Sequence, residues 1–396
     1  MDLNVEKARS FFPQLEDGLI YFENAGGSYI ARPVVERLTT YLTDSRVQPE
    51  WGFASAKRAK PRRDAGLLAA AALMGCGAAD VLVGHSTTNH VYVCSHALAG
   101  YLKGHAIVVT DQDHEANSGA WRRLADRGVG VRVWPVSKTT GGLELDALRP
   151  LLDDQVRLVC MPHVSNVIGE INPVREVADL AHAVGAKLFV DGVAYAPHRR
   201  VDVKALGADF YVFSAYKVYG PHVGLLYVAP EMRPHLENQN HFFLGGIGLK
   251  SVNPGGQQYE QLAALAGVTD YFDALRGEDS LEALFEAFAA HETTLLAAML
   301  EGLQTRGCTI VGPSAPDRGT RVPTIAFTPN ASMGTPNEVA QGLAERGIAT
   351  GAAHFYAPRV LESLGLDLEL GVCRASLVHT STLDEVARFF SALDEL

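Results

Sequence analysis

Residues 208–221 read ADFYVFSAYKVYGP, and the organisation of this 396-residue chain can be worked out from them. The apolar and aromatic run that ends at Ser214 is typical of a buried strand, and Lys217 follows it. Gly220 and Pro221 then break the backbone before a second apolar run, Val223–Val228. A lysine between two buried strands loses hydration, which lowers its pKa and makes the amine a usable nucleophile. The alternative is a lysine that extends from a strand end into water.

Upstream of this stretch, short apolar runs alternate with segments of helical pattern. The predicted strands are rich in aliphatic and β-branched residues and lie at Leu19–Phe22, Val81–Val83, Ala106–Val109, Val131–Val136, Val156–Met161 and Lys187–Val190. The predicted helices are Pro33–Leu42, Asp64–Met74, His90–Leu102 and Pro173–Val184. The basic segment Trp51–Arg63 is predicted to be a solvent-exposed, non-helical segment that precedes the helix Asp64–Met74. This alternation predicts an α/β fold whose large domain has a mostly parallel central sheet between layers of helices.

The pattern changes from about Glu278 onward. A long helix rich in Ala, Leu and Glu is predicted over Ser280–Arg306. Shorter elements follow at Thr309–Val311, Thr324–Phe327, Asn337–Arg346, Ala353–Leu364 and Leu383–Leu396. We therefore predict an N-terminal arm over residues 1–18, a large domain over 19–278 and a smaller C-terminal α/β domain over 279–396.

Composition and charge exclude several classes of protein. The net charge of −11 from 34 basic and 45 acidic residues gives no reason to expect a nucleic acid or an anionic membrane as partner. The five cysteines are scattered without a C-x-x-C pair, which favours free thiols in a reducing compartment. The N-terminal residues lack the apolar core of a signal peptide, and no stretch approaches the length of a membrane span. We expect a cytoplasmic protein.

Reactive and polar residues recur just beyond the carboxyl ends of the predicted strands. They are Ser86, Thr87, Thr88, His114, Asn117, Asn166, Asp191, Ser214 and Lys217. Open α/β sheets bind ligands along this edge. Any one of these residues could serve as a helix cap or a turn residue, but capping does not require a lysine, a histidine and a carboxylate to converge.

This set of residues suits pyridoxal phosphate chemistry. A lysine such as Lys217 would hold the cofactor aldehyde as a Schiff base, and Asp191 would pair with the protonated pyridine nitrogen so that the ring accepts electrons. The hydroxyls and backbone N–H groups of Ser86, Thr87 and Thr88 precede a helix, which is where a phosphate is bound. His114 is available to cover the face of the ring.

With these residues, the chain resembles the class V aminotransferase family of fold-type-I pyridoxal phosphate enzymes, in particular its cysteine desulfurase-like branch. The segments that carry the resemblance extend over nearly the whole chain: Tyr21–Gly27, His163–Val174, Val190–Gly192, Phe213–Pro221 and Cys373–Leu377. The resemblance implies the fold-type-I transferase fold and a lyase or transferase that acts on an amino acid. It also implies a homodimer with the active site at the interface.

The resemblance assigns a role to each candidate residue. Lys217 looks like the Schiff-base lysine and proton carrier, Asp191 like the partner of the pyridine nitrogen, and His114 like the residue stacked on the ring. The residues that match phosphate contacts are Thr87, Thr88 and Ser214, and Tyr216, which departs from the family residue at its position, can still reach a phosphate oxygen. Gly256 lies where a loop of the partner subunit is expected, although the family threonine is missing there. The residues that match substrate contacts are Arg374 for the carboxylate, Asn166 beside both cofactor and substrate, Ala25, Gly26 and His354.

Departures from the family pattern bear on the reaction. The loop Ala349–Tyr356 has no cysteine, and His354 lies about where a desulfurase carries its sulfur-accepting cysteine. Ala194 replaces a family glutamine, and Tyr216 replaces a family histidine next to the lysine. We therefore expect that the cofactor site is kept and that the persulfide step is lost.

Several functions remain open on these residues. The first prediction is cleavage of a C–S bond in cysteine or an S-substituted cysteine by β-elimination, without persulfide formation. The alternatives are an aminotransferase, deaminase or epimerase on another amino compound, and a binding or regulatory protein with the same fold. The predicted pocket wall consists of His354, Phe355, Tyr356, Trp51 and Phe53.

Two unrelated readings of the same residues are rejected. Ser214 and Lys217 also form an S-x-x-K string, but that serine should open a helix, whereas Ser214 ends a strand. A metal site around Asp111, Asp113, His114 and Glu115 lacks a second histidine cluster, so we expect no metal.

Overall fold

The computed structural model describes residues 1–396 and contains thirteen strands and thirteen α-helices. In chain order the strands are β1 Ile20–Tyr21, β2 Val81–Gly84, β3 Ala106–Thr110, β4 Gly130–Trp134, β5 Val156–Pro162, β6 Lys187–Asp191, β7 Phe210–Ser214, β8 Gly224–Val228, β9 Thr309–Val311, β10 Thr324–Thr328, β11 Ile348–Ala349, β12 Gly351–Ala353 and β13 Val372–Ser376. The helices are α1 Val5–Arg9, α2 Arg32–Asp44, α3 Ala54–Met74, α4 Thr87–Ala97, α5 Ala99–Leu102, α6 Glu115–Arg122, α7 Leu145–Leu148, α8 Val174–Ala183, α9 Tyr259–Arg276, α10 Leu281–Thr305, α11 Pro336–Glu345, α12 Pro358–Ser363 and α13 Leu383–Leu393.

The central sheet has seven strands in the order β2-β8-β7-β6-β5-β3-β4. The pairs from β7 to β4 are all parallel, and only β8 runs against both of its neighbours. The strands β5 to β8 are buried along almost their entire length, as expected for a sheet with helices on both faces. The prediction of a mostly parallel sheet is therefore confirmed, with β8 as the antiparallel exception.

A second, antiparallel sheet in the order β12-β13-β10-β9 lies in the C-terminal part of the chain. It has its own core of 21 buried residues, separate from the 82 around the central sheet. The short strand β1 pairs with β11, and Ile20 is buried in this smaller core. Residues 20–21 thus pack with the C-terminal unit although they fall in the range predicted for the large domain, and the predicted boundaries stay a prediction.

Three predicted elements differ from the structure. Helix α3 begins at Ala54, so most of the basic segment Trp51–Arg63 is helical rather than a non-helical segment before the helix. The single element expected over Ala353–Leu364 is divided in the structure, because Ala353 belongs to β12 and the helix α12 begins only at Pro358. Helix α9 was not predicted because buried residues lie around most of its circumference, where it packs on α2 and α3, so an amphipathic stripe is absent.

Helix α10 is long and apolar enough, by length and composition alone, to cross a membrane. The prediction that no segment approaches such a span is wrong by this criterion. Its first half is buried in the larger core through Leu284, Phe285 and Phe288, and its second half in the smaller core. A single helix of this kind is weak evidence for a membrane, because a helix shared by two protein cores needs the same composition.

Candidate active site

Two adjoining cavities lie at the carboxyl edge of the central sheet. The first cavity is lined by the ends of β6 and β7 and by the starts of α4 and α6; its polar lining residues are Thr87, Thr88, His114, Asn166, Asp191, Ser214, Tyr216 and Lys217. The second cavity shares four of these, His114, Asn166, Tyr216 and Lys217, and adds Glu23, Ala25, Gly26, Ala353, His354, Phe355, Tyr356 and Arg374. Lys217 therefore stands where the two cavities meet.

Lys217 ends a single 3-10 turn that directly follows β7. All five residues of β7 are buried, and the turn places Lys217 directly beyond them in a half-buried position. The Lys217 amine makes no hydrogen bond to the protein. Burial and, to a lesser extent, the charge of Arg374 together lower the pKa of Lys217 to about 8, against the opposing effect of Asp191 and Glu23. An amine with this pKa is partly neutral near neutral pH and is therefore nucleophilic.

Asp191 is the last residue of β6 and is 7% exposed. One carboxylate oxygen accepts a hydrogen bond of 2.9 Å from the Val193 N–H, and the other has no partner in the protein. Burial raises the pKa of Asp191 to about 6, although the Val193 hydrogen bond and the Lys217 charge act against this rise. A buried carboxylate with a free oxygen is suited to pairing with a cationic N–H of a ligand.

A buried aromatic layer supports the strand that carries Asp191. The His163 ring stacks on Tyr195 with centroids 3.5 Å apart, and its Nδ1 is 2.8 Å from the Tyr211 hydroxyl. The backbone N–H of His163 donates to the backbone carbonyl of Asp191 at 2.7 Å. Residue 192 must be glycine here, because a Cβ would lie 2.1 Å from the Tyr211 ring. No local sequence pattern indicates these contacts, because His163 follows β5, Tyr195 lies in the loop after β6 and Tyr211 lies near the start of β7.

The start of helix α4 is shaped to receive an anion. Ser86 caps the helix by accepting a hydrogen bond of 3.0 Å from the Asn89 N–H. The hydroxyls of Thr87 and Ser214 lie 2.7 Å apart, so strand β7 and helix α4 present their oxygens together. The free N–H groups of the first helical turn carry partial positive charge. Both hydroxyls and the helix start line the first cavity, which suits a phosphate group.

His114 forms one wall of both cavities from the N-cap position of α6. Its Nδ1 accepts a hydrogen bond of 3.1 Å from the Ala116 N–H. Burial, helped by the charges of Lys217 and Arg374, lowers the pKa of His114 to about 4, so the imidazole is neutral near neutral pH. Tyr356 lies beside this ring with centroids 5.4 Å apart. A neutral, fixed imidazole can stack on a planar aromatic ligand.

Arg374 lies in β13 and is 3% exposed. Its Nη1 donates to the Asn166 carbonyl at 3.0 Å, and its Nη2 forms an ion pair with Glu23. Phe355 covers the guanidinium, with the central carbon 3.8 Å from the ring centroid. Burial lowers the pKa of Arg374, and Glu23 partly offsets this effect. Arg374 is thus a desolvated cation placed at the second cavity.

The loop between β12 and α12 closes the second cavity. Phe355 and Tyr356 have φ of 49° and 58°, the left-handed region that side chains other than glycine rarely adopt. Two hydrogen bonds hold the loop. The His354 Nδ1 accepts one of 3.1 Å from the Tyr356 backbone N–H, and the Tyr356 carbonyl accepts one of 2.7 Å from the Glu115 backbone N–H. Strained backbone that persists in a cavity wall is typical of functional loops.

The structure brings together most of the residues predicted from the sequence. Those that line at least one cavity are Ala25, Gly26, Thr87, Thr88, His114, Asn166, Asp191, Ser214, Tyr216, Lys217, His354 and Arg374. Asn117 and Ser86 do not: the Asn117 side chain donates to Asp113 at 2.8 Å, and the Ser86 hydroxyl caps α4. Gly256 lies on an exposed loop away from both cavities in the single chain, and its role, which depends on a partner subunit, stays a prediction.

The predicted pocket wall needs a correction. Phe355, Tyr356 and His354 line the second cavity, whereas Trp51 and Phe53 do not. They lie at the surface before α3, where their side chains are 65% and 51% exposed. Glu23 lies within the family-like segment Tyr21–Gly27, and the resemblance assigns it no role. The signal that could have found it is its place as the one charged residue in the small-residue loop after β1.

The donors of the first cavity fit pyridoxal phosphate. The cofactor has an aldehyde, a pyridine nitrogen, a flat ring and a phosphate, and the cavity offers an unpartnered amine, a free carboxylate oxygen, a neutral imidazole and a helix start with two hydroxyls. The structure contains no group of three or more His, Cys, Asp or Glu side chains placed to hold a metal ion.

Comparison with known proteins gives a consistent family. The sequence model described as Aminotransferase class-V matches residues 20–389. Aminotransferase-like protein FGM3 of Gibberella zeae is 36% identical over 99% of this chain and 98% of its own length. Cysteine desulfurase-like protein ustD of Aspergillus flavus is 31% identical over 100% of this chain and 91% of its own length.

A solved structure agrees with the fold. The apo structure of a cysteine desulfurase from Thermococcus onnurineus NA1 has a TM-score of 0.88 and 25% identity, covering 100% of this chain and 98% of that chain. The predictions of the fold-type-I fold, of the family and of a pyridoxal phosphate-dependent enzyme are confirmed.

Proposed function

This chain belongs to the class V aminotransferase family, and on that premise we propose that it cleaves the Cβ–S bond of L-cysteine or of an S-substituted L-cysteine. The proposed reaction is β-elimination. The Cβ–S bond breaks, and the sulfur leaves as hydrogen sulfide from L-cysteine or as a thiol from an S-substituted cysteine. One water molecule is consumed as the remaining three carbons and the nitrogen become pyruvate and ammonium. The sulfur is not passed to a cysteine of the enzyme.

The observation that carries this proposal is the absence of a thiol from both cavities. All five cysteines are free, and none of them lines either cavity. Cys373 adjoins Arg374 in sequence, but its thiol points into the smaller core and donates to the Pro336 carbonyl at 3.4 Å. His354 stands on the closing loop instead. A persulfide step requires a thiolate within reach of the departing sulfur, so it lacks an acceptor here.

The cofactor would be held in the first cavity by the groups already described. Lys217 would hold its aldehyde, Asp191 its pyridine nitrogen, His114 its ring face, and the start of α4 with Thr87 and Ser214 its phosphate. Bound pyridoxal phosphate supplies an electron sink for negative charge that develops at the substrate α-carbon.

Residues at the junction of the cavities would do the remaining work. The lowered pKa of Lys217 allows its amine to take a proton from the α-carbon near neutral pH. Arg374 would bind the substrate carboxylate with its guanidinium. The His354 Nδ1 accepts a hydrogen bond, so in the neutral ring Nε2 carries the hydrogen and can donate to the departing sulfur.

The test is product analysis of the cofactor-loaded protein with L-cysteine and S-methyl-L-cysteine. We expect pyruvate and the matching thiol in equal amounts over many turnovers, and no sulfur added to the protein by mass spectrometry. The variant His354→Cys should acquire a bound sulfur atom from L-cysteine, whereas the matched control His354→Ala should not. Bound sulfur on the unmodified enzyme, or no reaction with any β-substituted amino acid, contradicts the proposal.

Amino transfer is the second candidate. It is favoured by the relative described as aminotransferase-like, which is 36% identical over almost the whole chain. Amino transfer would leave the cofactor in its amine form after the first half-reaction, and a 2-oxo acid would restore the original absorption. Elimination restores that absorption without an added oxo acid, so the two activities are separated by a single spectroscopic titration.

We also propose that the enzyme is a cytoplasmic homodimer. The exposed side chains of Phe242, Phe243 and Ile247 lie on the segment that leads to the Gly256 loop, and an apolar surface of this kind favours burial by a second copy. Five free cysteines favour a reducing compartment. Sedimentation and cell fractionation test these two points.

A further inference from the structure

Glu23 and Arg374 form an incomplete ion pair in the second cavity. Glu23 Oε1 contacts the Nη2 of Arg374, while its Oε2 is buried and has no hydrogen-bond partner. The Nε of Arg374 is likewise buried without a partner. Nε and Nη2 form one edge of the guanidinium, and a carboxylate normally binds such an edge with both oxygens. Here each partner leaves one polar atom unsatisfied.

The other approaches to Arg374 are closed. Its Nη1 is taken by the Asn166 carbonyl at 3.0 Å, and Phe355 lies against the guanidinium. The edge held by Glu23 is therefore the place where a carboxylate from the second cavity can bind.

Two glycines leave room for the Glu23 side chain in this position. A Cβ at residue 26 would lie 2.8 Å from Oε1, and a Cβ at residue 351 would lie 3.1 Å from Oε2. The Glu23 side chain is nevertheless 25% exposed, whereas Arg374 is almost fully buried. The glutamate can therefore move toward solvent, while the arginine is fixed by its contacts.

We propose that Glu23 is a placeholder on Arg374 that the carboxylate of the substrate displaces. This inference rests on the proposed function, in which Arg374 receives the substrate carboxylate. Without substrate, Glu23 compensates the buried charge of Arg374. On binding, the substrate carboxylate takes both Nε and Nη2, and Glu23 swings toward the open side of the cavity. Glu23 thereby acts as a specificity-determining residue that rejects ligands unable to replace a carboxylate.

The placeholder has a measurable cost in affinity. A ligand that binds only when Glu23 has left has its apparent affinity reduced by the fraction of time for which the edge is free. Removal of the Glu23 charge should therefore strengthen the binding of simple carboxylates. It should not affect a neutral ligand of the same shape.

The test uses calorimetry on the cofactor-loaded protein with propionate, which has the carboxylate but no amine to react, and with propionamide as the neutral match. In Glu23→Gln we expect propionate to bind about five- to tenfold tighter and propionamide to be unchanged. Glu23→Ala should give at least the same gain, and retention of the cofactor absorption shows that either variant is folded. Glu301→Gln, on the exposed side of α10, is the control.

Two outcomes overturn different statements. If propionate binds equally or more weakly in both Glu23 variants while Arg374→Gln abolishes its binding, Glu23 positions the arginine and is not a placeholder. If Arg374→Gln leaves propionate binding unchanged, the assignment of Arg374 to the substrate carboxylate fails, and with it that part of the proposed function.

Discussion

At the scale of single residues, the site depends on three groups whose pKa values are moved by burial. Lys217 is lowered to about 8, Asp191 is raised to about 6 and His114 is lowered to about 4. Each shift favours the less charged form that an apolar environment requires. The three lie at strand or helix ends, so their backbone is fixed while their side chains reach the cavity.

The first prediction concerns the pH dependence of cofactor capture by Lys217. The neutral amine is the nucleophile, so the rate at which cofactor-free protein captures pyridoxal phosphate should rise about tenfold per pH unit below pH 8 and level off above it. Stopped-flow absorbance measures this rate. In Arg374→Gln the profile should move to higher pH, because a positive charge that lowers the lysine pKa is gone. A rate that still rises at pH 10, as for an ordinary lysine, would refute the shift.

The site residues differ in whether their roles can be predicted from neighbouring residues in the sequence. Lys217, Asp191 and His114 could be predicted because each follows an apolar run that reads as a strand. The partnership of Glu23 with Arg374 could not, because 351 positions separate them in the chain. The stack of His163 on Tyr195 is equally invisible to any local pattern.

At the scale of elements, the contact between α4 and β8 places the proposed phosphate site. Gly224 begins β8, and a Cβ there would lie 2.4 Å from the Ser86 carbonyl carbon and 2.5 Å from the Thr87 nitrogen. The helix start can approach the sheet only because this position has no side chain. The same contact brings Thr87 to within 2.7 Å of Ser214.

The second prediction follows from this contact. Gly224→Ala should push the start of α4 away from the sheet, separate Thr87 from Ser214 and weaken pyridoxal phosphate binding about tenfold or more. Overpacking of this kind also costs about 1–3 kcal/mol of stability. Equilibrium dialysis and urea denaturation measure the two effects. Gly52→Ala is the matched control, since a Cβ at that exposed position meets nothing within 4 Å. Unchanged cofactor affinity in Gly224→Ala would argue against a phosphate site at α4.

At the scale of the whole molecule, α10 joins the two cores. Glu292 lies between the two halves of α10 that face different cores, and its side chain is fully buried. Its carboxylate binds Arg199 at 3.0 Å and lies 3.1 Å from the His198 Nδ1. Arg199 in turn donates to the carbonyl oxygens of Arg318 and Arg321 in the C-terminal unit. This cluster holds together the two units that form the walls of the second cavity.

The third prediction is that Glu292→Ala strongly destabilises the protein. The substitution leaves the Arg199 charge buried without its partner, which costs about 3–5 kcal/mol. Chemical denaturation followed by circular dichroism measures the loss. Glu301→Ala lies on the exposed side of the same helix and should change stability by less than about 0.5 kcal/mol. A small effect of Glu292→Ala would mean that the two units are held by apolar packing alone.

Local sequence patterns indicated a mostly parallel sheet, the alternation of strands and helices along the chain, the candidate Schiff-base lysine and the sheet edge at which the polar residues gather. These follow from periodicity, strand ends and helix caps, which are encoded within a few neighbouring residues. The tertiary structure alone decided that β1 pairs with β11, that α10 serves two cores, and that Arg374 meets Glu23 under Phe355. Such contacts join residues hundreds of positions apart, and their geometry depends on how the two units pack. Local sequence therefore indicates which residues can act, while packing decides which of them meet.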